Sequence, residues 1–269
     1  MSLWQALLLG TVQGLTEFLP VSSSGHLVLF QRLLGLESNV LTFDILVHLA
    51  TLAAVLAVYR KDVVEILKHP LGRLTWLLVL GTIPAVAFGL GLKDIIEYLF
   101  RSGKSLGFEF LFTGAILWFA DSLKTRDKGV RETKAGDALL IGSAQALAIL
   151  PAVSRSGFTI AGALWRGLDR KFAAKFSFLL SIPAILGAAV LDAPNAVRMV
   201  RETGTLGVPT VPLIAGFIAA AVFGWLAVQW MIRIITTGRL RPFAIYVSVL
   251  GILILIEQIF SGHLFGKLF

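Results

Sequence analysis

Eight stretches of mostly apolar sequence recur along the chain, near 3–21, 41–59, 74–92, 106–123, 138–153, 173–192, 211–232 and 243–260. No other feature constrains the fold as much, because runs of about 18 or more such residues are what a helix needs to cross a bilayer. A composition of 57% hydrophobic and 15% charged residues fits one all-α polytopic membrane domain over residues 1–269. The net charge of +8 comes from Lys and Arg residues that lie between the apolar runs. They are not gathered on one face, so membrane lipids with anionic headgroups are the expected partners and nucleic acid is not. The absence of cysteine excludes disulfides, thiolate nucleophiles and thiolate metal sites. "MSLWQALLLG" has no basic stretch ahead of its apolar residues, so the first segment is expected to be retained and not cleaved as a signal peptide.

Two of the eight segments are broken. The first ends in "GLTEFLPVSSSGH", with Glu17, Pro20, three serines, Gly25 and His26; the fifth ends in "LPAVSRSGFT", with Pro151, Ser154, Arg155 and Ser156. Irregular backbone is tolerated at membrane depth only where protein buries it or where it lines a wet cavity. Charge decides whether these segments cross. Setting aside Arg155 in its motif, the two faces receive 12 and 11 Lys/Arg residues if all eight do; if the first and fifth return to the side they entered, the split is 16 against 7. Six transmembrane helices plus two re-entrant helical hairpins are therefore expected, with the 16-charge face cytoplasmic and both termini outside.

Sliding the sequence on itself by 132 positions lays "ALLLGTVQGLTEFLPVSSSG" from Ala6 over "ALLIGSAQALAILPAVSRSG" from Ala138 without a gap. Gly10/Gly142, Gln13/Gln145, Leu15/Leu147, Val21/Val153, Ser22/Ser154, Ser24/Ser156, Gly25/Gly157 and Gly35/Gly167 are identical pairs. Chance matches Leu to Leu in apolar sequence, but seldom Gln, Ser and Gly in register. The chain is thus read as a duplication, repeat one about 1–123 and repeat two about 138–260. Three crossings separate the two starts, and an odd number inverts the second copy. Inverted repeats with interrupted helices place a binding site near the midplane, where the broken segments meet.

Each tip is a proline, a hydroxyl-rich turn, a glycine and a resumed helix. A helix start offers unpaired N–H donors and suits phosphate; Arg155 adds a guanidinium able to grip phosphate oxygens. Two facing starts, one Arg and the hydroxyls of Ser22, Ser23, Ser24, Ser154, Ser156 and Thr159 suit a diphosphate. Ser and Gly also pack helices closely, and that reading stands beside the functional one for Ser22, Ser24, Gly25 and Gly157. For Arg155 function is favoured, because an Arg at the bilayer centre costs at least about 2.5–3.5 kcal/mol. Gln13 and Glu17, one turn apart on the same side of a helix, resemble half of an oxygen-rich site for a hard divalent ion; a buried, protonated Glu17 is the alternative. His26, three residues after Ser23, has the parts for nucleophile activation or leaving-group protonation, or for capping. Asp44 and His48 read as a structural pair, residues 123–137 ("LKTRDKGVRETKAGD") as a solvated cytoplasmic loop, and Trp4, Tyr59 and Trp76 as interface anchors.

These residues carry a resemblance. "QGLTEFLPVSSSGH" resembles the (E/Q)xxxE motif with its following serines, and "PAVSRSGFT" resembles the PGxSRSxxT motif, of the undecaprenyl-diphosphate phosphatase family often called BacA or UppP. The similarity extends over essentially the whole chain, including "FDILVHLATLAAVLAVYRKD" and "RPFAIY". It implies an enzyme of the bacterial cytoplasmic membrane that hydrolyses the diphosphate of the C55 polyprenyl carrier lipid to the monophosphate and phosphate. That activity recycles the carrier for cell-wall synthesis and confers bacitracin resistance. The resemblance also implies dependence on a divalent cation (Mg or Ca), a polyprenyl diphosphate partner, and an active site opening to the extracytoplasmic face; a homodimer is compatible with it. Position by position, Gln13 and Glu17 match the acidic motif, Ser22, Ser23 and His26 match the serine and histidine that come after it, and Ser154, Arg155, Ser156 and Thr159 match the second motif; the family's proposed nucleophile falls on Ser23. Ala152 replaces the Gly of PGxSRS, so the backbone there should not need positive φ. The expected mechanism has Arg155, Thr159 and the tip N–H groups clamp the phosphates while Ser23, helped by His26, attacks, or while Ser23 only orients an attacking water. A secondary transporter or flippase for an anionic or lipid-phosphate substrate is the alternative, since it shares the architecture.

Overall fold

The computed structural model of the protein describes residues 1–36, 40–124, 126–237 and 239–266. Lys267 and Thr125, which the charge tally and the loop reading include, lie outside the described residues. The described chain is helical throughout: α1 (Leu3–Phe18), α2 (Ser23–Leu33), α3 (Leu41–Val58), α4 (Arg60–Lys68), α5 (Arg73–Gly91), α6 (Lys93–Ser102), α7 (Leu106–Ser122), α8 (Ala135–Leu147), α9 (Arg155–Trp165), α10 (Arg170–Thr203), α11 (Thr210–Thr237) and α12 (Arg241–Phe260). Five of these, α3, α5, α10, α11 and α12, are long and apolar enough to cross a membrane, while α7 has 17 residues. Their outward faces are apolar too. On α5 the exposed residues Trp76, Val79, Ile83, Val86 and Leu90 repeat every three to four positions, one continuous stripe along the helix. In water such a stripe would drive aggregation; facing lipid it is the ordinary surface of a polytopic helical membrane protein.

The broken segments become two short helical pairs, α1–α2 and α8–α9. Pro20 and Pro151 stand just beyond the ends of α1 and α8, where a ring without an N–H cannot continue the helix. The next helix is started by a serine cap at equivalent positions. Ser22 Oγ accepts the Gly25 N–H at 3.3 Å, and Ser154 Oγ accepts that of Gly157 at 3.1 Å. Both helices also end alike. Gly35 and Gly167 adopt φ of 67° and 82°, and in each case the following residue's N–H returns to the carbonyl five positions back (Leu36 to Gln31, Leu168 to Ala163).

Packing joins the two halves of the chain. Helix α1 lies along α11 and α8 along α5, and α7 lies along α12. The first two contacts need glycine. A Cβ on Gly10 would fall 2.9 Å from Gly216 Cα, and one on Gly142 would fall 2.9 Å from Gly81 Cα. Two sequence readings change here. Residues 128–137 are not simply solvated: Lys128 pairs its backbone with Leu168, Arg73 donates to the Val130 and Thr133 carbonyls, and Thr133 and Asp137 are buried. Tyr59 is also buried, packed beside Phe178, whereas Trp4 and Trp76 are exposed. A segment's charge or a ring's nearness to a helix end does not reveal which neighbour will cover it.

Candidate active site

The two tips touch. Arg155, first residue of α9, forms an ion pair through Nη2 with Oε1 of Glu17 near the end of α1. Ser22 Oγ donates to the Pro151 carbonyl at 3.0 Å, and Ser156 Oγ donates to the Leu19 carbonyl at 3.0 Å. Gly25 is required by this approach, since a Cβ there would fall 2.9 Å from that of Ala152 and 2.7 Å from the Phe110 ring.

Glu17 is the centre of the constellation. Its Oε2 accepts the Ser23 hydroxyl at 2.5 Å and the Gln13 amide Nε2 at 2.9 Å, while Oε1 faces Arg155. The one-turn spacing of Gln13 and Glu17 produces that pairing directly. Ser23 opens α2, so its own N–H has no acceptor within the helix. Two buried polar atoms here lack hydrogen-bond partners: Gln13 Oε1 and Arg155 Nη1. An acceptor and a donor left unpaired in the same cluster are what an incoming charged ligand would satisfy.

Other expected site residues are placed differently. His26 does not reach Ser23. Its Nδ1 lies 2.7 Å from the Ser22 carbonyl and its Nε2 2.8 Å from the Tyr246 hydroxyl, so the side chain bonded to Ser23 is Glu17. Thr159 Oγ1 is buried between the Arg155 carbonyl (2.8 Å) and Ser177 Oγ (2.6 Å), away from the Glu17 cluster's hydrogen bonds. Ser154 caps α9 and also lies 3.3 Å from Ser156 Oγ, while Ser24 is half-buried in the first turn of α2. Gly157 lies tightly against Leu117 and Ser154. The physical reason is common to these hydroxyls: turns buried inside the protein expose carbonyls and N–H groups that only nearby side chains can satisfy.

Three further residues, not among those expected at the site, matter to it. Glu109 accepts the Ala152 N–H at 2.7 Å, and Thr113, one turn on, donates to the Ala152 carbonyl at 3.1 Å while accepting the Ser154 N–H at 3.1 Å. An acid inside an apolar run was the available signal at Glu109. His48, read as structural, does bond locally through Nδ1 to the Asp44 carbonyl (2.7 Å), but its Nε2 also stands 3.9 Å from Glu17 Oε2. The Asp44 carboxylate accepts Gln31 Nε2 at 2.7 Å. Ala152 keeps negative φ, as its side chain requires; the single non-glycine with positive φ among the described residues is Ser22.

The sequence model of the family described as Bacitracin resistance protein BacA matches residues 6–253. The chain belongs to the BacA family. Among BacA-like proteins, the undecaprenyl-diphosphatase of Carboxydothermus hydrogenoformans is 54% identical over 258 residues, covering 96% of this chain and 98% of that one. Undecaprenyl-diphosphatase 3 of Bacillus cereus is 47% identical over 254 residues (94% and 96% covered), and the undecaprenyl-diphosphatase of Methanosphaera stadtmanae is 37% identical over 276 residues (94% and 97% covered). The site described above therefore lies wholly inside the matched region.

Proposed function

We propose that this protein is an undecaprenyl-diphosphate phosphatase, hydrolysing the C55 lipid diphosphate to the monophosphate and inorganic phosphate. The observation that carries the reading is the bond from Ser23 to Glu17 with Arg155 of the opposite tip on the same carboxylate. In this reading Ser23 Oγ attacks the terminal phosphorus as Glu17 takes its proton. The bond to the bridging oxygen breaks, the lipid monophosphate leaves, and water then hydrolyses the phosphoseryl group. Arg155, whose Nη1 is unpaired, and the N–H groups at the start of α2 and α9 hold the phosphates. Compared with the expected mechanism, Glu17 takes the part first given to His26.

No group of three or more His, Asp or Glu suited to a metal occurs among the described residues. Mg ions, however, are commonly held by one or two protein oxygens plus substrate phosphates, and the unpaired Gln13 Oε1 beside Glu17 fits that share. These two residues would hold a divalent cation (Mg or Ca), which when bound offsets charge on the phosphate oxygens. In the same proposal α3, α5, α7, α10, α11 and α12 cross the membrane, and α1–α2 and α8–α9 are re-entrant hairpins from opposite faces. Both termini lie outside, and the pocket opens outward.

Purified protein in detergent, given a polyprenyl diphosphate with and without chelator, tests the reading. Metal-dependent phosphate release is expected, and Ser23→Ala should lower it by on the order of 10³-fold or more if Ser23 is the nucleophile. A modest decline would instead assign attack to water. No release from well-folded wild-type protein would overturn the enzyme in favour of a transporter or flippase.

A further inference from the structure

Ser22 holds φ 66° and ψ 101°. A side chain rarely adopts that conformation, and it persists only where the surroundings over-determine it. The residue immediately after it is Ser23. What fixes Ser22 is visible in its contacts. Its carbonyl accepts from the His26 backbone N–H at 3.2 Å and from the His26 ring at 2.7 Å, and its hydroxyl is tied to Pro151 and Gly25.

A carbonyl only accepts, so His26 Nδ1 must carry the proton in that bond. In the neutral ring that burial favours, the other nitrogen presents a lone pair 2.8 Å from the Tyr246 hydroxyl, which donates to it. The tyrosine ring lies nearly parallel to the imidazole (16°, centroids 5.7 Å apart), and Phe110 meets the imidazole edge-on. Tyr246 sits on α12, in the second half of the chain. The second tip is held in a matching way by Glu109 and Thr113 of α7, from the first half. Position 246 is 132 residues after position 114, next to Thr113, so the two braces occupy neighbouring positions in the duplicated pattern.

We infer that Tyr246 is a positioning residue: its hydroxyl holds the His26 ring in the orientation whose Nδ1–H grips the Ser22 carbonyl, and the left-handed turn so held presents Ser23 Oγ to Glu17. The inference rests on the phosphatase reading for its kinetic consequence, though not for the placement of the His26 ring. Tyr246→Phe keeps the ring and removes the donor. Because misplacing a reacting group by about 1 Å costs roughly 10²-fold, kcat for phosphate release from a polyprenyl diphosphate should fall about 10- to 100-fold. KM should stay within about twofold, since Arg155 and the helix starts are untouched.

Nitrogen-15 spectra of the imidazoles, with the His26 signals assigned by their loss in His26→Gln, supply the second readout. Wild-type protein should show the Nδ1–H tautomer, and Tyr246→Phe the same tautomer with its Nδ1–H signal shifted as the bond to the Ser22 carbonyl loosens. Both signals must move together. A normal kcat, a KM rising as fast as kcat falls, or an unmoved Nδ1–H signal would each overturn the inference. Should the variant fail to fold, a wild-type His26 found as the Nε2–H tautomer or as imidazolium overturns it equally. Absence of phosphate release by wild-type protein would instead defeat the phosphatase reading and leave the nitrogen-15 test standing.

Discussion

At Glu17 the two carboxylate oxygens serve different halves of the chain, Oε2 accepting from Ser23 and Gln13, and Oε1 paired with Arg155. The two charged side chains are largely removed from solvent, 5% and 14% exposed, so neither can be deleted without stranding the other. Glu17→Gln should therefore lose activity by about 10²- to 10⁴-fold, the usual contribution of a positioned base. It should also lose about 3–5 kcal/mol of stability, because Arg155 is left buried and unpaired. Adding Arg155→Met to Glu17→Gln should recover most of the unfolding midpoint but none of the activity. Thermal unfolding in detergent and a phosphate-release assay separate the two effects; equal recovery of both would refute the base. The pairing of Gln13 with Glu17 was legible in the sequence, because one helical turn brings them together. That His26 would face Ser22 and Tyr246, and that His48 would approach Glu17, was not. Each depends on a partner from another helix, and spacing within one segment carries no information about such partners.

Each tip is a short turn that is stable only because a neighbouring helix supplies hydrogen-bond partners. For the second tip that helix is α7, whose Glu109 accepts the Ala152 N–H in a buried setting. Glu109→Leu removes that acceptor while keeping an apolar side chain, leaving the N–H unsatisfied at a cost of about 1–3 kcal/mol. Glu109→Gln retains a carbonyl oxygen and should restore most of the loss. Unfolding midpoints of the two variants check this, and an equal loss in both would show that the charge of Glu109, and not its acceptor, is what matters. Element boundaries agree with the sequence where proline, serine and glycine mark them, at Pro20, Ser22 and Gly35 and again at Pro151, Ser154 and Gly167. They depart from it at α4 and α6, whose mixed charged and apolar residues read as connections between spans. Helix α10 also runs past its apolar stretch at 173–192, through Pro183 and Pro194 to Thr203. Hydropathy marks where a helix is apolar, and not how far its backbone hydrogen bonding runs beyond that.

Across the molecule, the connection between the two halves is fastened at Asp137. Its side chain is fully buried and accepts from the Lys134 N–H and Lys128 Nζ at 2.9 Å each and from Arg166 Nε at 2.6 Å, joining the connecting segment, the start of α8 and the end of α9. Burial pushes the Asp137 carboxyl up from its ordinary value of 3.8, but the Lys134 N–H and the Lys128 and Arg166 bonds outweigh that and hold it down at about 2. A depressed value means that the unfolded chain binds this proton first as pH falls. The stabilisation from Asp137 is thus complete above about pH 4, diminishes between about 4 and 2, and is gone below that window. Asp137→Asn removes the carboxylate at every pH and leaves Lys128 and Arg166 to partial hydration, at a cost of about 1–3 kcal/mol near neutrality. The unfolding midpoint of wild-type protein in detergent should then exceed that of Asp137→Asn at pH 6, and the two should converge as pH approaches 2. Other carboxylates shift both proteins alike, so the difference isolates this one. A gap that stays constant down to pH 2 would show that Asp137 contributes through its shape and neutral hydrogen bonds. A gap that closes would place a charged latch where the two halves join, anchoring both ends of the hairpin that carries Arg155 to Glu17.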